Sequence, residues 1–273
     1  CGSSLLDGSL MVALIDSHTH FDDARFDADR DIAYQRARAV GVEAQVLAAV
    51  SAPLWPKLKK IAASYPGLYP SYGLHPVWLA EHRPEHLDQL ADWLTRERPV
   101  AIGECGLDYF QSDLDPNLQA EYFAGQLRLA RRHDLPVVIH ARHAVDHVIQ
   151  QVRRFAGVRG MVHSFSGSVD QARRLLDLGI LLSFGGPLTY ERATRLRGLM
   201  KVLPLDGLLL ETDAPDQPPS AHPGQRNEPA YLTEILACVA ALRNADPAEI
   251  AAATAANARR LFKLPDALPA GPH

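Results

Sequence analysis

The sequence predicts a protein of the α/β class that folds as a single (β/α)8 TIM barrel. Short apolar runs rich in β-branched residues recur eight times along the chain, and segments with helical periodicity separate them. Strands that alternate with helices form parallel sheets, and eight such units favour closure into a barrel over an open sheet. The length of 273 residues suits one barrel.

The eight apolar runs are the predicted strands. In chain order they cover residues 11–16, 42–50, 68–74, 99–104, 136–139, 159–162, 179–184 and 206–211. The segments between them are predicted helices, and after the fifth strand one apolar face is formed by Val145, Val148, Ile149, Val152 and Phe155. Ser168 with Gln171 predicts a capping box, and Asp246 before Pro247 and Glu249 marks another helix start.

One domain is predicted over residues 11–265, followed by a C-terminal tail at 266–273. Residues 1–10, CGSSLLDGSL, are small and polar and precede Met11, so we interpret them as an upstream extension or an expression remnant. Cys1 followed by Gly-Ser-Ser also fits the start of a processed lipoprotein. The stretch 214–229 is rich in proline and polar residues and is predicted to be a long loop after the eighth strand.

Composition indicates a soluble globular protein. The chain is 47% apolar and 22% charged, and no run approaches the roughly 18 apolar residues of a membrane span. A net charge of −4 gives no general attraction for polyanions, which disfavours binding to long duplexes. The three cysteines have neither paired spacing nor an even count, so we expect no disulfide framework and a reducing compartment, the cytoplasm. We also expect a monomer, since no obligate protein partner is evident from the sequence.

Six of the eight predicted strands end in a residue that can bind a metal ion. The carboxyl ends of all barrel strands open onto one face, so residues distant in sequence meet there. The six ends carry His18 and His20, His75, Glu104, His140, His163, and Asp213. This joint pattern indicates a metal site, because structural needs alone do not explain so many ligand-type residues at matching positions.

Each of these residues also has a structural alternative. His18 and His20 lie two apart, so an extended chain points both rings to one side, but an isolated pair of this kind is not specific. Glu104 stands in an otherwise uncharged strand, where a metal ion or an arginine would have to compensate its buried charge. Asp213 is also a suitable residue to cap the start of a helix. Glu211 is predicted to lie on the same strand face as Asp213. The other histidines lie in polar segments and are predicted at the surface: His82, His86, His133, His143, His147, His222 and His273.

Four histidines, one glutamate and one aspartate exceed what a single tetrahedral zinc ion needs. The set suits two divalent ions that share a bridging carboxylate, either Zn²⁺, Mn²⁺ or, less readily, Mg²⁺. A pair of ions lowers the pKa of a shared water and stabilises charge on attacking and leaving oxygens. The predicted chemistry is metal-dependent hydrolysis.

Six motifs resemble the TatD family of metal-dependent deoxyribonucleases, within the wider amidohydrolase-like barrels. They are IDSHTHFD, GLHP, GECGLDY, PVVIHAR, VHSFSGS and LLLETDAP, and the resemblance extends from Met11 to Leu264. It implies that the metal ligands are His18, His20, Glu104, His140, His163 and Asp213. It also implies that Glu104 bridges the ions and that Asp213 accepts a proton from the nucleophilic water.

The resemblance implies a deoxyribonuclease that cleaves DNA or short oligonucleotides, as single strands or at ends, through in-line attack of a metal-bound hydroxide on phosphorus. His75 and Arg142 are candidate phosphate contacts. A guanidinium matches phosphate geometry, although a surface ion pair is an alternative for Arg142. Two other functions stay open: hydrolysis of a small amide, ester or lactone or of a D-aminoacyl-tRNA ester, and metal binding without turnover.

Overall fold

The computed structural model describes residues 13–266, in which eight parallel strands follow one another around a barrel in chain order. The strands are β1 (Leu14–Thr19), β2 (Val42–Ala48), β3 (Leu68–Tyr72), β4 (Ala101–Asp108), β5 (Val137–Arg142), β6 (Gly160–Val162), β7 (Ile180–Phe184) and β8 (Leu208–Leu210). The predicted TIM-barrel fold is therefore confirmed. The predicted N-terminal extension and the tail from residue 267 onward lie outside the described residues.

Helices follow the strands as predicted. They are α1 (Arg30–Ala39), α2 (Trp55–Ser64), α3 (Glu85–Glu97), α4 (Pro116–His133), α5 (Val145–Arg154), α6 (Val169–Asp177), α7 (Thr194–Val202), α8 (Leu232–Arg243) and α9 (Pro247–Phe262). The capping box of Ser168 and Gln171 is present, and the Asp246 side chain accepts the Ala248 N–H at the start of α9. Within the described range, no helix has both the length and the apolar character that crossing a bilayer requires.

The two faces of the strands carry different cores. One face packs against the surrounding helices, whereas the other contributes a smaller cluster that includes Ile15, Val138 and Leu209 and packs against α9. These three residues are each the second residue of their strand. Because side chains on a strand alternate between faces, the later positions on this inner face lie near the carboxyl-terminal mouth, where polar residues replace apolar ones.

Two predicted strand boundaries were wrong in ways that affect the site. β1 was predicted over 11–16 but spans Leu14–Thr19, and β4 was predicted over 99–104 but continues to Asp108. His18 and Glu104 therefore lie within strands instead of at their ends. The apolar pattern used to predict the strands ends at the first polar residues of β1 and β4. β4 nevertheless stays paired with β5 as far as Asp108 and Arg142, because polar side chains are tolerated at the open mouth of the barrel.

Polar contacts close the seam between β8 and β1. The Asp213 N–H donates to the His18 carbonyl oxygen at 3.0 Å. Close by, the Asp16 carboxylate accepts the backbone N–H and the hydroxyl of Thr212, at 2.9 and 2.5 Å. The residues that join the two ends of the barrel are therefore adjacent to the predicted metal ligands.

The predicted loop at 214–229 is confirmed, and it is tied to α1. Arg226 donates to Asp29 at 2.6 Å and to Glu228 at 2.9 Å. Glu228 in turn accepts from Arg36 of α1 at 2.7 Å. This partly buried network of alternating charges fixes the end of the loop against the barrel.

Candidate metal centre at the barrel mouth

A cavity of about 860 Å³ opens at the carboxyl ends of the strands. The predicted site residues that line it are His20, His75, Glu104, His140, Arg142, His163 and Asp213. His18 is fully buried directly behind them, with its ring 4.1 Å from that of His163 between centroids. The structure thus brings all eight predicted site residues to one place.

Glu104 lies at the centre of this group, and its two oxygens face different histidines. Its Oε2 lies 3.3 Å from Nε2 of both His18 and His20. Its Oε1 lies close to three other rings, at 2.9 Å from His75, 2.9 Å from His163 and 3.0 Å from His140. A carboxylate with one oxygen on each side is suited to bridge two cations.

Asp213 extends the group on the Oε2 side. Its Oδ1 lies 3.3 Å from Nε2 of His18 and 3.6 Å from Nε2 of His20. Gln217 donates its side-chain amide to the other carboxylate oxygen. No helix begins at Asp213, so the alternative role as a helix cap is wrong.

The protonation behaviour of the group reflects its dense packing. Burial would raise the pKa of Glu104, but the histidines around it lower that pKa well below its usual value. Burial would likewise lower the pKa of His20, but the close carboxylate of Glu104 and the charges of Asp213 and Asp22 raise the pKa to about 10. The pKa of Asp213 is also lowered, against the effect of burial, by contact with His18. The carboxylates therefore stay ionised and attract positive charge.

Several polar atoms of the group are buried without a hydrogen-bond partner. They are both ring nitrogens of His18, Oε2 of Glu104 and Nδ1 of His163. Unpaired buried polar atoms are rare because each costs free energy. Three sets of atoms lie close enough together to hold an ion: His18, Glu104 and His163; His18, His20 and Asp213; and His75, Glu104 and His140. Imidazole and carboxylate donors with unused lone pairs fit Zn²⁺ or Mn²⁺.

Contacts on the far side of the rings leave one nitrogen of each facing the centre. His20 Nδ1 lies 2.9 Å from the Ala48 carbonyl oxygen, and His140 Nε2 lies 2.9 Å from Asp108 Oδ2. Since a carbonyl or carboxylate oxygen must accept a ring proton, the nitrogen that faces the centre is the one with the lone pair when the ring is neutral, which is the form that binds a metal ion. This is the usual outer support of metal-binding histidines.

His75 has the opposite arrangement. The Val77 N–H donates to His75 Nδ1 at 3.0 Å, so the proton of the neutral ring is on Nε2, which lies 2.9 Å from Glu104. Burial lowers the pKa of His75 to about 4, which keeps the ring neutral. His75 is therefore a hydrogen-bond donor in this site, although its position alone would allow it to bind a metal.

The surface prediction was wrong for His82 and His86, because both are buried. His82 contacts the site indirectly, with its Nε2 donating to the His75 carbonyl oxygen at 2.8 Å. By contrast, His143 and His147 are exposed as predicted.

Arg142 lies at the rim, exposed. Its guanidinium carbon lies 3.7 Å from the ring centroid of Phe110. No carboxylate in residues 13–266 pairs with it, so the alternative of a surface ion pair does not hold. Arg25, also at the rim, is already paired with Asp23 and Asp216.

Sequence reasoning missed the contacts that two carboxylates make with the histidines: Asp108 was not considered, and Glu211 was considered only as a neighbour of Asp213 on the same strand face. Asp108 contacts His140, and Glu211 accepts the Ser164 N–H at 2.6 Å with His163 Nδ1 3.7 Å away. Asp108 follows Glu104 by four positions and therefore shares its strand face. Extending the strand through GECGLD would have found it.

An eight-stranded parallel barrel with histidines and carboxylates gathered at its mouth defines a metal-dependent hydrolase barrel. The family model of the TatD related DNases matches residues 15–263. The chain belongs to this family of metal-dependent hydrolases, as its motifs predicted.

Relatives with similar sequences cover nearly the whole chain. The uncharacterized metal-dependent hydrolase YjjV of Escherichia coli K12 is 39% identical over 94% of this chain and 100% of its own length. The crystal structure of YjjV superposes with a TM-score of 0.90 at 38% identity, over 94% of this chain and 100% of that one. A protein named 3'-5' ssDNA/RNA exonuclease TatD, from Erwinia tasmaniensis, is 35% identical over 92% of this chain and 100% of its own length.

Proposed function

We propose that this protein is a nuclease that hydrolyses phosphodiester bonds near the ends of single-stranded nucleic acid, using two divalent ions. The observation that carries the proposal is the position of Glu104 between two separate groups of nitrogen donors. The names of two relatives, the 3'-5' ssDNA/RNA exonucleases of Erwinia tasmaniensis and Klebsiella pneumoniae, support the substrate class.

The other five predicted ligands divide into two groups around Glu104. On the Oε2 side are His18, His20 and Asp213, and on the Oε1 side are His140 and His163. Two ions in such a site supply an activated water and stabilise negative charge on the attacking and leaving oxygens of an in-line displacement.

The chain's own residues supply the proton transfers and orientation. Asp213 is deprotonated, and its Oδ1 lies 3.3 Å from Nε2 of His18, so its carboxylate is placed among the proposed ligands where it can accept a proton from the attacking water. His75 directs a neutral Nε2–H into the site, where it can donate to a phosphoryl oxygen. Arg142, held against Phe110 and free of carboxylates in the described range, offers a guanidinium to a neighbouring phosphate.

The shape and charge of the mouth favour a single strand over a duplex. A volume of about 860 Å³ lies within the range of pockets that enclose one small ligand. A duplex cannot enter such a cavity, whereas the end of a single strand can. The net charge of −4 gives no broad basic surface for duplex binding.

The test is a panel of substrates assayed with Mn²⁺, Mg²⁺ and Zn²⁺ in turn. It contains single-stranded DNA and RNA oligonucleotides, a duplex, a D-aminoacyl-tRNA and small ester, amide and lactone substrates. We expect cleavage of the single strands, loss of activity with EDTA while the protein stays folded, and recovery when metal is restored. Turnover of only the tRNA ester or a small substrate would overturn the nuclease proposal. A protein that turns over nothing and melts when metal is removed would be a metal-binding protein.

The variant Glu104→Gln tests the two-ion site in the protein itself. It keeps the side-chain volume but removes the charge between the two donor groups, so we expect loss of bound metal and a fall in kcat of at least about a thousandfold. Activity near that of the wild type would contradict the two-ion site.

A further inference from the structure

Trp78 differs from the other two tryptophans of the chain. Trp55 and Trp93 pack against each other and Tyr72, with centroid distances of 5.6 to 6.4 Å. Trp78 is 38% exposed and lines the cavity at the barrel mouth. Within residues 13–266 its indole has no aromatic or cationic neighbour, so an aromatic face is left open beside the candidate metal centre.

The backbone places Trp78 three residues after His75, on a segment that lines the same cavity. Its N–H donates to the His75 carbonyl oxygen at 3.1 Å, which places it one tight turn beyond His75. His82 donates to the same carbonyl oxygen at 2.8 Å. The His75 ring lies 2.9 Å from Glu104. The indole is thus mounted on the same short segment that reaches the centre.

We infer that Trp78 is a stacking platform for a nucleobase next to the scissile phosphate. The inference rests on the proposed nuclease function and adds to it a subsite for an unpaired base. An aromatic face accepts any base, because every base has a π face, so the subsite selects for an unstacked single strand rather than for sequence. Arg142 lines the same cavity and can contact an adjoining phosphate, whereas Lys57, also in the lining, already contacts Asp27 at 3.3 Å.

The experiment is a double-mutant cycle in which one change is made in the protein and the other in the substrate. A short single-stranded DNA and a series in which one nucleotide at a time is replaced by an abasic residue are cleaved by the wild type and by Trp78→Ala. If a base stacks on Trp78, one abasic position should lower kcat/KM of the wild type by about 5- to 150-fold. On the intact strand, kcat/KM of Trp78→Ala should be lower than that of the wild type by a similar factor. On the strand with that abasic position, kcat/KM of Trp78→Ala should fall no further.

Three further variants separate stacking from bulk and from folding. Trp78→Phe should keep most of the activity because it retains a π face, whereas Trp78→Leu should behave like Trp78→Ala. Val202→Ala removes another exposed apolar side chain, away from the cavity, and should match the wild type. Melting curves check that the variants fold, and the abasic series on the wild-type protein needs no variant.

The outcomes distinguish this inference from the nuclease proposal. Suppose that the wild type cleaves oligonucleotides but the factors lost in kcat/KM from Trp78→Ala and from every abasic position multiply. The stacking subsite is then overturned while the nuclease proposal stands. The same conclusion follows if Trp78→Leu is as active as the wild type. If the wild type cleaves no oligonucleotide, the nuclease proposal fails and the subsite with it.

Discussion

The backbone N–H of Asp213 donates to the carbonyl oxygen of His18 at 3.0 Å, and the two side chains approach each other to 3.3 Å. Two residues proposed to hold the same ion are therefore linked through the main chain as well as through their side chains. Because the main-chain link does not depend on the carboxylate, the catalytic and structural contributions of Asp213 can be measured separately.

Asp213→Asn should keep the fold and lose catalysis. The amide preserves the side-chain volume and the seam hydrogen bond but cannot accept a proton, so kcat should fall by about 10²- to 10⁴-fold. The measurement is kcat on a single-stranded oligonucleotide at saturating Mn²⁺, together with the melting temperature. Asp170→Asn, at an exposed site on α6, is the matched control. A kcat within threefold of the wild type would rule out Asp213 as the proton acceptor.

His75→Gln and His163→Gln should have different effects on metal content. His75 is assigned as an N–H donor, so His75→Gln should lower kcat by about 10²- to 10³-fold while the bound metal is retained. His163→Gln should lose metal as well as activity. Metal per chain is measured by elemental analysis after gel filtration. Equal metal loss in the two variants would show that the donor assignment of His75 is wrong.

Asp108→Asn should weaken metal binding. The Asp108 carboxylate accepts the Phe110 N–H at 2.9 Å on one oxygen and contacts His140 Nε2 with the other. An amide nitrogen at the second position would no longer accept the ring proton, and loss of such outer contacts typically costs 10- to 100-fold in metal affinity or activity. Titration with Mn²⁺ should shift to higher concentration and then recover most of the activity. Asp113→Asn is the control, and failure of excess Mn²⁺ to restore activity would contradict this role.

The stability of the metal-free protein should fall as the pH rises from 7 to 9. Burial, the largest single effect, lowers the pKa of His20, but the carboxylates of Glu104, Asp213 and Asp22 together raise the folded pKa to about 10, above its usual value near 6.5. A raised pKa contributes stability that is complete below pH 6.5 and is lost as the pH rises through 10. Urea unfolding after EDTA treatment measures this trend.

The metal-loaded protein provides the comparison. Its stability should change less over pH 7 to 9, because bound cations replace the protons, and metal affinity should rise with pH for the same reason. A metal-free protein whose stability rises across this range would contradict the assigned direction.

Gly106→Ala should destabilise the protein. Gly106 has a φ of +136°, and a Cβ there would lie 2.1 Å from the His140 carbonyl oxygen. The substitution should therefore cost more than about 1 kcal/mol and lower the melting temperature. Gly198→Ala in α7 is the control, because a Cβ there meets no atom within 4 Å and alanine favours the helix. If both variants melt at the wild-type temperature, the close approach of β4 and β5 has little effect on stability.

The fold and the gathering of the eight candidate residues at one mouth were predictable from sequence because both depend on a repeated pattern. Eight apolar runs set the barrel, and ligand-type residues such as His140 and His163 follow those runs directly. The pattern fails at β1 and β4, since hydrophobic periodicity stops where the barrel interior becomes polar. Asp108 was missed for that reason.

The chemical role of His75 depends on a contact that sequence patterns do not report. Its ring proton is assigned by a main-chain N–H, that of Val77, whose direction depends on a turn. The exposed indole of Trp78 was likewise not predictable, because the neighbours of a side chain are a property of the folded structure. Such features follow from tertiary geometry and not from spacing along the chain.

The seam between β8 and β1 also has a consequence for biosynthesis. A nascent chain on the ribosome carries His18 and His20 long before Asp213 has been synthesised. A polypeptide released before β8 lacks both the last strand and Asp213, which is proposed as a ligand. A prematurely terminated product therefore cannot assemble the complete proposed centre, and we expect hydrolytic activity only once translation has passed the eighth strand.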